Sequence, residues 1–579
     1  MEDGEISVRS GVFFTFYFLL STLYFLIFRR SRMLKGLNSI EDIIDTLKKY
    51  GEKIALQIKG DTGFHSLSYL ELNNRSFDVS STLIKSGVEK GDRIAILSEN
   101  RPEWAIAFFG IIFSGAIVVP LDIKLKEKEL TYILNNCEAE YIFASARFID
   151  LIKTLKTKIR MVISLDEKIG EDILSLKELK SVEGELKHRA IELNDTAVII
   201  YTSGTTGNPK GVELTYQNLF FQISSFGKML KYGAKDNFLS ILPLNHAYEL
   251  ICGFLGPLHG GSSITYLRSL KPAEIISTMK QTQTTIMIVV PLILQMFYKN
   301  VMKEIEKSPI HIKKSFEMIL VLSKYLGKWN TIRYLLFKKV HLGFGGRLRC
   351  FISGGAPLDP QIATNFQLMG IPVLQGYGLS ETSPVTSANT FKENRPGSVG
   401  KPLPEVNVKI SDEGEILIQG PHLMKGYFKD SALTQEAIRD GWFHTGDIGE
   451  IDKDGFLYIK GRLKNLIVTA GGKKIHPEEV EEEILKSPCI KEICVIGKPG
   501  RKGGEEVYAV VVPDYDYFKE KDEEGIKKLV EKEIKKYCSI LADYKRIVDF
   551  EIWKGELPKT STRKVKRKEI LERIQQGQR

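Results

Sequence analysis

A loop rich in glycine, hydroxyl groups and lysine follows the apolar run AVIIYTSG, which is typical of a buried strand. Glycine lets backbone N–H groups approach an anion, hydroxyl groups add hydrogen bonds, and the Lys210 ammonium adds positive charge. An ordinary surface turn is the alternative, but the ordered run of hydroxyl residues, Gly, Pro and Lys disfavours it. The loop therefore predicts a phosphate site formed by Thr202, Ser203, Gly204, Thr205, Thr206, Gly207 and Lys210.

This loop differs from the Walker A phosphate loop, which requires the pattern GxxxxGK[ST]. Counted from Gly204, Pro209 stands where the second glycine is needed. Gly211 follows Lys210 where serine or threonine is needed. The sequence therefore predicts a nucleotide site of another class.

Further motifs accompany the loop along the chain. In this order they resemble the signatures of the adenylate-forming superfamily, which includes acyl-CoA synthetases, peptide synthetase adenylation domains and luciferases. The resemblance covers about Ser39 to Glu572. The motifs are LPLNHAYE (Leu242 to Glu249), SGGAPL (Ser353 to Leu358), QGYGLSET (Gln375 to Thr382), FHTGD (Phe443 to Asp447), KGRLKNLIVTAGGKKIHPEEVE (Lys460 to Glu481) and PKTSTRK (Pro558 to Lys564).

The resemblance implies that a carboxylate attacks the α-phosphorus of ATP, giving an acyl-adenylate and pyrophosphate. Two anions must meet, so positioning and electrostatic stabilisation carry most of the catalysis. The resemblance assigns Lys210, Glu381 and Lys564 to catalysis. It assigns Glu381 and the Thr202 hydroxyl to Mg²⁺, a hard ion that prefers oxygen ligands. For Glu381 taken alone, a carboxylate that stabilises the start of a helix is the alternative.

Contacts with adenine and ribose are implied for three motifs. Tyr377 would stack on the purine, Asp447 would accept hydrogen bonds from ribose hydroxyls, and Arg462 would add donors. A buried core tyrosine and a turn-capping aspartate are the alternatives for the first two. The implied residues are Gly354, Gly355, Ala356, Gln375, Gly376, Tyr377, Gly378, Thr382, Asp447 and Arg462.

The second half-reaction brings a thiol to the adenylate. The resemblance implies that the C-terminal domain rotates about a hinge at Lys464 and that the pantetheine arm of CoA lies against Gly471 and Gly472. A hairpin turn is the alternative for the two glycines, and both interpretations can hold together. No covalent acyl-cysteine step has a motif in this chain.

A basic stretch near the end of the chain, LPKTSTRKVKRKEI, places six Lys or Arg within ten residues. By resemblance to the last family motif, Lys564 enters the active site between the acyl carboxylate and the α-phosphate. The family usually has glycine just before this lysine, where Arg563 stands here, so the flexibility of the loop is open. Lys566, Arg567 and Lys568 are expected to form a solvated face at the start of a final helix.

An acyl pocket is implied for His246, Leu250 and Gly355. The attacking carboxylate is already ionised, so His246 is expected to line the pocket or to pack rather than to act as a base. Some family members have a large aromatic gating residue shortly after this histidine, whereas this chain has Leu250 in that neighbourhood. Glu249 is the one acidic or basic residue in LPLNHAYELICGFLGPL. Each buried methylene contributes about 0.8 kcal/mol, so this apolar run favours a long alkyl tail.

Strand-like runs alternate with helical patterns from about Asn38 onward, which predicts βαβ units. The expected fold class is α/β: a large N-terminal domain of βαβ subdomains with parallel sheets plus a small β-rich subdomain, then a small mobile α+β C-terminal domain. The boundaries are 38–462 and 463–579, after an N-terminal segment 1–37. A helical insertion at about 299–347 resembles that of long-chain fatty acyl-CoA synthetases.

An uncharged run of 18 residues, Gly11 to Phe28, is followed at once by RRSR. As a helix it would span about 27 Å, close to the roughly 30 Å of a bilayer core. It predicts a transmembrane anchor, and the basic cluster predicts a membrane-anchored enzyme with its catalytic domains on the cytoplasmic side. A helix that lies in one leaflet is the alternative.

Composition narrows the functional classes. Hydrophobic content of 43% and charged content of 27% are globular values, and the net charge of +10 suits anionic substrates. The six cysteines are scattered, which predicts neither disulfides nor a zinc site. A nucleic-acid protein is disfavoured because the basic residues are not interleaved with stacking aromatics.

Three functions remain at this point. The leading hypothesis is an AMP-forming long-chain fatty acid:CoA ligase with ATP and CoA as substrates and Mg²⁺ as cofactor. An acyl-carrier-protein ligase that uses the same adenylate is the nearest alternative. A catalytically inactive membrane protein that binds and takes up fatty acids is the alternative from another class.

Overall fold

The computed structural model describes residues 36–167, 173–180, 188–202, 208–327, 330–500, 503–518, 522–559 and 565–576. Its helices are α1 (Ile40–Tyr50), α2 (Tyr69–Lys85), α3 (Pro102–Phe113), α4 (Glu127–Asn136), α5 (Ile149–Thr154), α6 (Tyr216–Leu230), α7 (Gly256–His259), α8 (Pro272–Thr282), α9 (Pro291–Glu306), α10 (Ile310–Ser323), α11 (Asn330–Leu336), α12 (Lys338–Gly343), α13 (Pro360–Leu368), α14 (Ser431–Ala437), α15 (Pro477–Ile484), α16 (Glu523–Cys538) and α17 (Arg567–Gln575).

The strands are β1 (Ile54–Lys59), β2 (Phe64–Ser68), β3 (Arg93–Leu97), β4 (Ile117–Leu121), β5 (Tyr141–Ala144), β6 (Met161–Ser164), β7 (Leu174–Ser175), β8 (Thr196–Thr202), β9 (Lys210–Thr215), β10 (Asn237–Ser240), β11 (Ser263–Tyr266), β12 (Ile286–Val289), β13 (Cys350–Ser353), β14 (Val373–Tyr377), β15 (Ser387–Ala388), β16 (Lys401–Pro402), β17 (Asn407–Ile410), β18 (Glu415–Gln419), β19 (Gly426–Tyr427), β20 (Ile438–Arg439), β21 (Trp442–Ile451), β22 (Leu457–Arg462), β23 (Ile467–Val468), β24 (Lys474–Ile475), β25 (Ile490–Pro499), β26 (Glu505–Pro513) and β27 (Asp549–Ile552).

Two sheets with parallel centres make up most of the chain. One has nine strands in the order β16-β15-β14-β13-β12-β10-β11-β1-β2, and the other has eight in the order β19-β9-β8-β4-β3-β5-β6-β7. The neighbours from β14 to β1 are parallel, as are those from β8 to β7. Helices connect these strands and cover the sheets, as parallel pairing requires.

Parallel pairing brings the carboxyl ends of strands to the same edge. Ser353 ends β13 in register with Gln375 of β14, so the motifs that follow these two strands are neighbours. Ligand sites of open α/β sheets form at this edge. The pairing of the strands therefore brings the predicted motifs close together, before any side-chain contact is considered.

Helix α3 forms the centre of the core. Pro102 opens it without losing a hydrogen bond, and Gly115, with φ 77°, ends it. Every side chain of this helix except Glu103 is buried. Trp104 stacks on Phe108 with ring centroids 5.4 Å apart. These apolar contacts hold the helix between the two sheets.

Within the described residues, 299–347 form helices joined by short turns and contain no strand, as the sequence predicts. Helices α9 to α12 span this region and are joined to α13 by polar contacts. The Ser323 hydroxyl donates to the Leu368 carbonyl at 2.6 Å, and Arg333 Nε donates to Ser323 Oγ at 3.0 Å. The insertion is therefore fixed to the nine-stranded sheet through α13.

A five-stranded antiparallel sheet follows, formed by β17, β18, β20, β21 and β22. The remaining chain forms the hairpin β23–β24 and a sheet of β25, β26 and β27, with α15, α16 and α17. This arrangement confirms the predicted α/β class, with a large N-terminal part and a smaller C-terminal part. The boundary between 462 and 463 stays a prediction.

The prediction of a transmembrane anchor, and of an anchored enzyme on the cytoplasmic side, must be corrected. Among the described residues, no helix has both the length and the apolar character needed to cross a bilayer. The apolar helix α3, which is buried except at Glu103, has 12 residues and measures about 18 Å. Its apolar side chains face protein rather than lipid. The run from Gly11 to Phe28 lies outside the described residues.

The expectation of a solvated face at the start of the last helix is wrong for Arg567. Its Nη2 lies 2.7 Å from Glu481 Oε2 and 3.2 Å from Glu478 Oε1, both on α15. Burial raises the pKa of Glu481 to about 7, although Arg567 opposes the shift. Lys566 and Lys568 are exposed, as predicted. The N-terminus of α17 therefore packs onto α15 through a largely buried ion pair.

We expect Arg567→Met to lower the free energy of unfolding by about 3 kcal/mol at pH 8, because it leaves buried carboxylates without their cation. The control is Arg573→Met, which removes an exposed pair with Glu569 and should cost at most about 0.5 kcal/mol. Urea unfolding of both variants measures the difference. Equal, small losses would show that the Arg567 pair does not stabilise the C-terminal part.

Candidate active site

A buried carboxylate joins the two large elements of the predicted nucleotide site. Asp447 of β21 stands opposite Arg462 of β22, whose Nε donates to Oδ1 at 2.8 Å. The hydroxyl of Tyr377, at the end of β14, donates to Oδ2 at 2.7 Å. Only 3% of Asp447 is exposed. Burial and the neighbouring Asp447 raise the pKa of Tyr377, so its phenol remains a donor.

A tyrosine connects the predicted phosphate lysine with the predicted metal carboxylate. Lys210 pairs with Thr202 across the β8–β9 hairpin. Its Nζ lies 5.6 Å from the ring centroid of Tyr427, and the Tyr427 hydroxyl donates to Glu381 Oε1 at 2.9 Å. Strand β19 places Tyr427 there by pairing with β9 at Val212. Lys210 and Glu381 therefore flank a single phenol ring.

The motifs SGGAPL and QGYGLSET have close backbone packing. A Cβ on Gly354 would lie 3.1 Å from the Tyr248 ring, and one on Gly378 would lie 1.8 Å from the Pro384 carbonyl. The Thr382 hydroxyl accepts from the Leu379 N–H at 2.8 Å and is fully buried. Thr382 thus fixes this turn, and a direct contact of its hydroxyl with a nucleotide stays a prediction.

The other residues predicted from these motifs lie at the same edge. Gly376 is the residue before the last in β14. Gln375 Oε1 accepts a hydrogen bond from the Gly397 N–H at 3.3 Å. Gly355, with φ 82°, and Ala356 are exposed just after β13. The open position of these two residues leaves room for a ligand beside them.

Two of the predicted acyl-pocket residues, His246 and Leu250, lie in one segment but differ in burial. This segment is called the acyl wall below. His246 is partly buried, and burial lowers its pKa; Lys124 adds to this shift and Asp122 opposes it. Leu250 is fully buried, and its N–H donates to the His246 carbonyl at 2.9 Å. Leu250 therefore packs into the core behind His246.

The predicted hinge residue lies next to the site. Desolvation and then Arg462 lower the pKa of Lys464, with Lys210 adding to the shift and Asp447 opposing it. Gly472 has φ 71° in the exposed turn between β23 and β24, and a Cβ on Gly471 would meet open space. The hairpin interpretation of the two glycines is therefore correct, and their contact with CoA stays a prediction.

Two groups of predicted residues lie outside the described chain. They are Ser203 to Gly207 of the phosphate loop and the catalytic candidate Lys564. Their assignments rest on the sequence alone. The described residues on either side, Thr202 with Lys210 and Lys559 with Val565, are paired with each other across antiparallel backbone.

The metal prediction can be tested against the donor set. Among the described residues, no group of three or more His, Cys, Asp or Glu side chains could hold a metal ion by itself. Mg²⁺ usually takes only one or two carboxylates and receives its other oxygens from water and phosphate. Glu381 and the Thr202 hydroxyl supply that kind of oxygen. The residues therefore fit a magnesium ion that arrives with a nucleotide.

Family profiles match both parts of the chain. The profile described as AMP-binding enzyme matches residues 44–428, and the profile described as AMP-binding enzyme C-terminal domain matches residues 479–564. The chain belongs to the AMP-binding enzyme family. This confirms the resemblance to the adenylate-forming superfamily, and the chain is an adenylate-forming acyl ligase.

Individual relatives of this AMP-binding enzyme are acyl ligases. A long-chain-fatty-acid–CoA ligase, FadD15 of Mycobacterium bovis, is 31% identical over 444 residues, or 72% of each chain. A chloroplastic long-chain-fatty-acid–[acyl-carrier-protein] ligase of Arabidopsis thaliana, AEE15, is 29% identical over 90% of this chain and 84% of its own. The crystal structure of ATP-bound MatB from Rhodopseudomonas palustris is 26% identical, with a TM-score of 0.75 over 93% of this chain and 99% of that one.

Sequence reasoning missed Tyr427 and Tyr248. Tyr427 lies in MKGYFKD, which has no spacing typical of a site, and only the pairing of β19 with β9 brings it to Glu381. Tyr248 lies inside a recognised motif, LPLNHAYE, but its contact with Gly354 depends on the packing of two distant segments. The available signal for Tyr427 was its position between two lysines, Lys425 and Lys429.

We expect Asp447→Asn to weaken AMP binding by about tenfold, or about 1.4 kcal/mol, because Arg462 loses its carboxylate and a ribose would lose an ionised acceptor. Isothermal titration calorimetry measures the affinity. Asp452→Asn is the matched control, since Asp452 pairs with Arg395 in the turn between β21 and β22. An equal loss of AMP affinity in both variants would show that Asp447 has no specific role in nucleotide binding.

Proposed function

We propose that this enzyme is an ATP-dependent ligase that activates a long-chain fatty acid as acyl-AMP and transfers the acyl group to CoA. The observation that carries the proposal is the grouping of charged residues around Lys464. Arg462, Asp447 and Lys210 all act electrostatically on Lys464. Glu381 is joined to this group because the Tyr427 hydroxyl donates to it and the Tyr427 ring lies beside Lys210. Family membership supports the adenylate chemistry. The relative from Mycobacterium bovis, named as a long-chain-fatty-acid–CoA ligase, supports the substrate and the acceptor.

In the first half-reaction a fatty acid carboxylate oxygen attacks the α-phosphorus of ATP. A P–O bond forms to the carboxylate, and the bond to pyrophosphate breaks. Lys210 and the loop from Thr202 would bind the β- and γ-phosphates, and Asp447 with Arg462 would bind the ribose. Tyr377 would lie against adenine, while its hydroxyl holds Asp447 in place.

Charge neutralisation is the main catalytic requirement, because both reactants are anions. Glu381 and the Thr202 hydroxyl would hold Mg²⁺, which neutralises phosphate charge when it is bound. Lys564 would place its ammonium between the carboxylate and the α-phosphate. A lysine suits this task because it is a compact cation on a long stem.

In the second half-reaction the CoA thiolate attacks the acyl carbonyl carbon, and AMP leaves with the carboxylate oxygen that joined it. The C-terminal part would rotate about Lys464 to exchange Lys564 for the hairpin that carries Gly471 and Gly472. The exposed position of that hairpin supports a role as a moving surface. His246 needs no base role in either step.

A long apolar tail is supported by the wall behind His246. The segment Glu249–Leu255 is fully buried and, apart from Glu249, apolar or small. The helices α10 to α12 supply an insertion of the kind that resembles long-chain synthetases. Each methylene that such a pocket buries would contribute about 0.8 kcal/mol, so the affinity would rise steeply with chain length.

An acyl carrier protein is the second candidate acceptor. The Arabidopsis relative that supports it aligns with 90% of this chain, more than the CoA ligase from Mycobacterium bovis does. Both acceptors present the same phosphopantetheine thiol. The choice between them therefore depends on the surface around the hairpin and not on the adenylate chemistry.

A panel of fatty acids from 8 to 20 carbons, assayed with CoA or with a carrier protein, tests the proposal. We expect one AMP per thioester, with kcat/KM rising about fourfold per added methylene, the equivalent of about 0.8 kcal/mol, until the pocket is full. Thioester on the carrier protein alone would overturn the CoA assignment. Absence of acid-dependent pyrophosphate exchange would support a protein that only binds fatty acids.

We expect Lys564→Ala to reduce adenylate formation by at least a hundredfold while thioester formation from supplied acyl-AMP falls less than fivefold. Pyrophosphate exchange measures the first step and thioester appearance the second. Lys568→Ala, on the exposed face of α17, is the control and should leave both steps unchanged. Equal loss of both steps in Lys564→Ala would contradict the assigned role.

A further inference from the structure

A buried carboxyl group lies directly behind the acyl wall. Glu249 has no exposed surface, and it opens a π-helical segment, Glu249–Leu255. Such segments are rare and occur frequently at functional sites. The segment is held on α3 by Phe254, whose ring meets those of Trp104 and Phe108 edge-on at 5.7 and 5.6 Å.

A hydrogen-bond network links Glu249 to both large sheets. Ser240, the last residue of β10, donates to Glu249 Oε1 at 2.5 Å. Asn100, which follows β3 in the other sheet, donates to Ser240 Oγ at 3.2 Å and to the Leu242 carbonyl at 2.6 Å. The Leu244 N–H donates to Asn100 Oδ1 at 3.0 Å. The network thus fixes the beginning of the segment that carries His246.

The end of the same segment is fixed against the motif SGGAPL. The Tyr248 hydroxyl donates to the Ile352 carbonyl at 3.0 Å, and its ring lies against Gly354. His246 lies between these two attachment points. Any movement of the carboxyl group of Glu249 would therefore be transmitted to His246 and Tyr248.

The surroundings of Glu249 favour its neutral form. Its Oε2 is buried and has no hydrogen-bond partner among the described residues. A β-carbon at Gly253 would come within 2.2 Å of Oε1, so the carboxyl group lies directly over that glycine. Burial raises the pKa of Glu249 to about 8, and the Ser240 hydrogen bond opposes the shift.

The titratable groups that face Glu249 are Tyr248 and Cys252 on its own segment and Tyr266 on β11. Burial raises the pKa of each of them. None of these three groups ionises near pH 8. Glu249 is therefore the member of this cluster whose charge changes there.

We propose that Glu249 is a positioning residue for the acyl substrate: through Ser240 and Asn100, its carboxyl group holds the wall of His246 and Tyr248 in the position that binds the alkyl chain. This inference rests on the proposed function. Ionisation would place an uncompensated charge in an apolar interior, so the wall loosens as Glu249 loses its proton. The enzyme then binds its acid more weakly above pH 8.

Three variants test the positioning role in the full chain by pyrophosphate exchange. Glu249→Leu removes the hydrogen bond, and we expect the KM for the fatty acid to rise about tenfold while the KM for ATP changes less than twofold. Glu249→Gln keeps an acceptor for Ser240, so it should restore the KM at pH 7. Asp236→Asn, at the opposite end of β10 and paired with Arg349, is the control and should change neither KM.

The pH profile separates positioning from simple packing. We expect the KM for the acid to rise above pH 8 in the wild type and to stay flat to pH 9 in Glu249→Gln. Dividing the KM of the wild type by the KM of Glu249→Gln at each pH removes the effect of the fatty acid's own titration. Identical profiles would overturn the inference, as would equal changes in both KM values for Glu249→Leu. If Glu249→Leu does not fold, the comparison of the wild type with Glu249→Gln decides.

Stability gives a check that does not depend on activity. A carboxyl group whose folded-state pKa lies above its ordinary value of 4.5 lowers stability as pH rises from 4.5 to about 8. Glu249→Gln lacks this effect, so its urea midpoint relative to wild type should be higher at pH 8 than at pH 5. A constant difference would contradict a neutral buried Glu249.

The outcome for the proposed function is separate. If the wild type exchanges pyrophosphate with an acid that is not a long-chain fatty acid, the proposed substrate is wrong, and the KM comparison proceeds with that acid. If no acid supports exchange, both proposals fail.

Discussion

The carboxylate of Asp447 is the point on which the candidate site depends. It lies in the antiparallel sheet, where it accepts a hydrogen bond from Arg462, and it accepts another from Tyr377 of the nine-stranded sheet. A buried carboxylate without such partners would carry a large desolvation penalty, so the Tyr377 bond also holds the two sheets together at this point. Lys464 lies two residues beyond Arg462. A rotation of the C-terminal part about Lys464 would leave this pair intact and move only the residues beyond Lys464.

The reaction that we propose joins two anions, and the arrangement of charges suits that task. The Lys210 ammonium lies near the Tyr427 ring and Glu381 accepts from the Tyr427 hydroxyl, so this phenol connects a cation with the carboxylate that we propose to bind Mg²⁺. The acyl wall lies on the other side of the motif SGGAPL, where Tyr248 packs on Gly354. The polar and apolar halves of the reaction would therefore meet beside Gly355.

Much of the fold could be predicted from periodicity. Runs such as RIAILS and LRCFISGG became β3 and β13, and parallel pairing then brought the motifs after them together. The resemblance to the adenylate-forming superfamily implied that Asp447 and Arg462 belong to one site, and the β21–β22 hairpin places them opposite each other.

Contacts between distant segments could not be predicted in the same way. The strand pair that brings Tyr427 to Lys210 and the network from Asn100 to Glu249 depend on how whole sheets pack, which local patterns do not encode. Arg567 looked like a solvated residue because its neighbours in sequence are basic, whereas its carboxylate partners come from another helix. The transmembrane prediction rested on hydropathy and length alone: among the described residues no helix is long and apolar enough to cross a bilayer, and the run from Gly11 to Phe28 lies outside them.

The most direct test of the adenylate chemistry tracks an oxygen atom. A fatty acid labelled with ¹⁸O in both carboxyl oxygens is turned over with ATP and CoA, and the products are analysed by mass spectrometry. If the carboxylate attacks the α-phosphorus, AMP carries one labelled oxygen, the thioester carbonyl keeps the other, and pyrophosphate carries none. Label in inorganic phosphate with ADP as the nucleotide product, or unlabelled AMP, would contradict an acyl-adenylate intermediate.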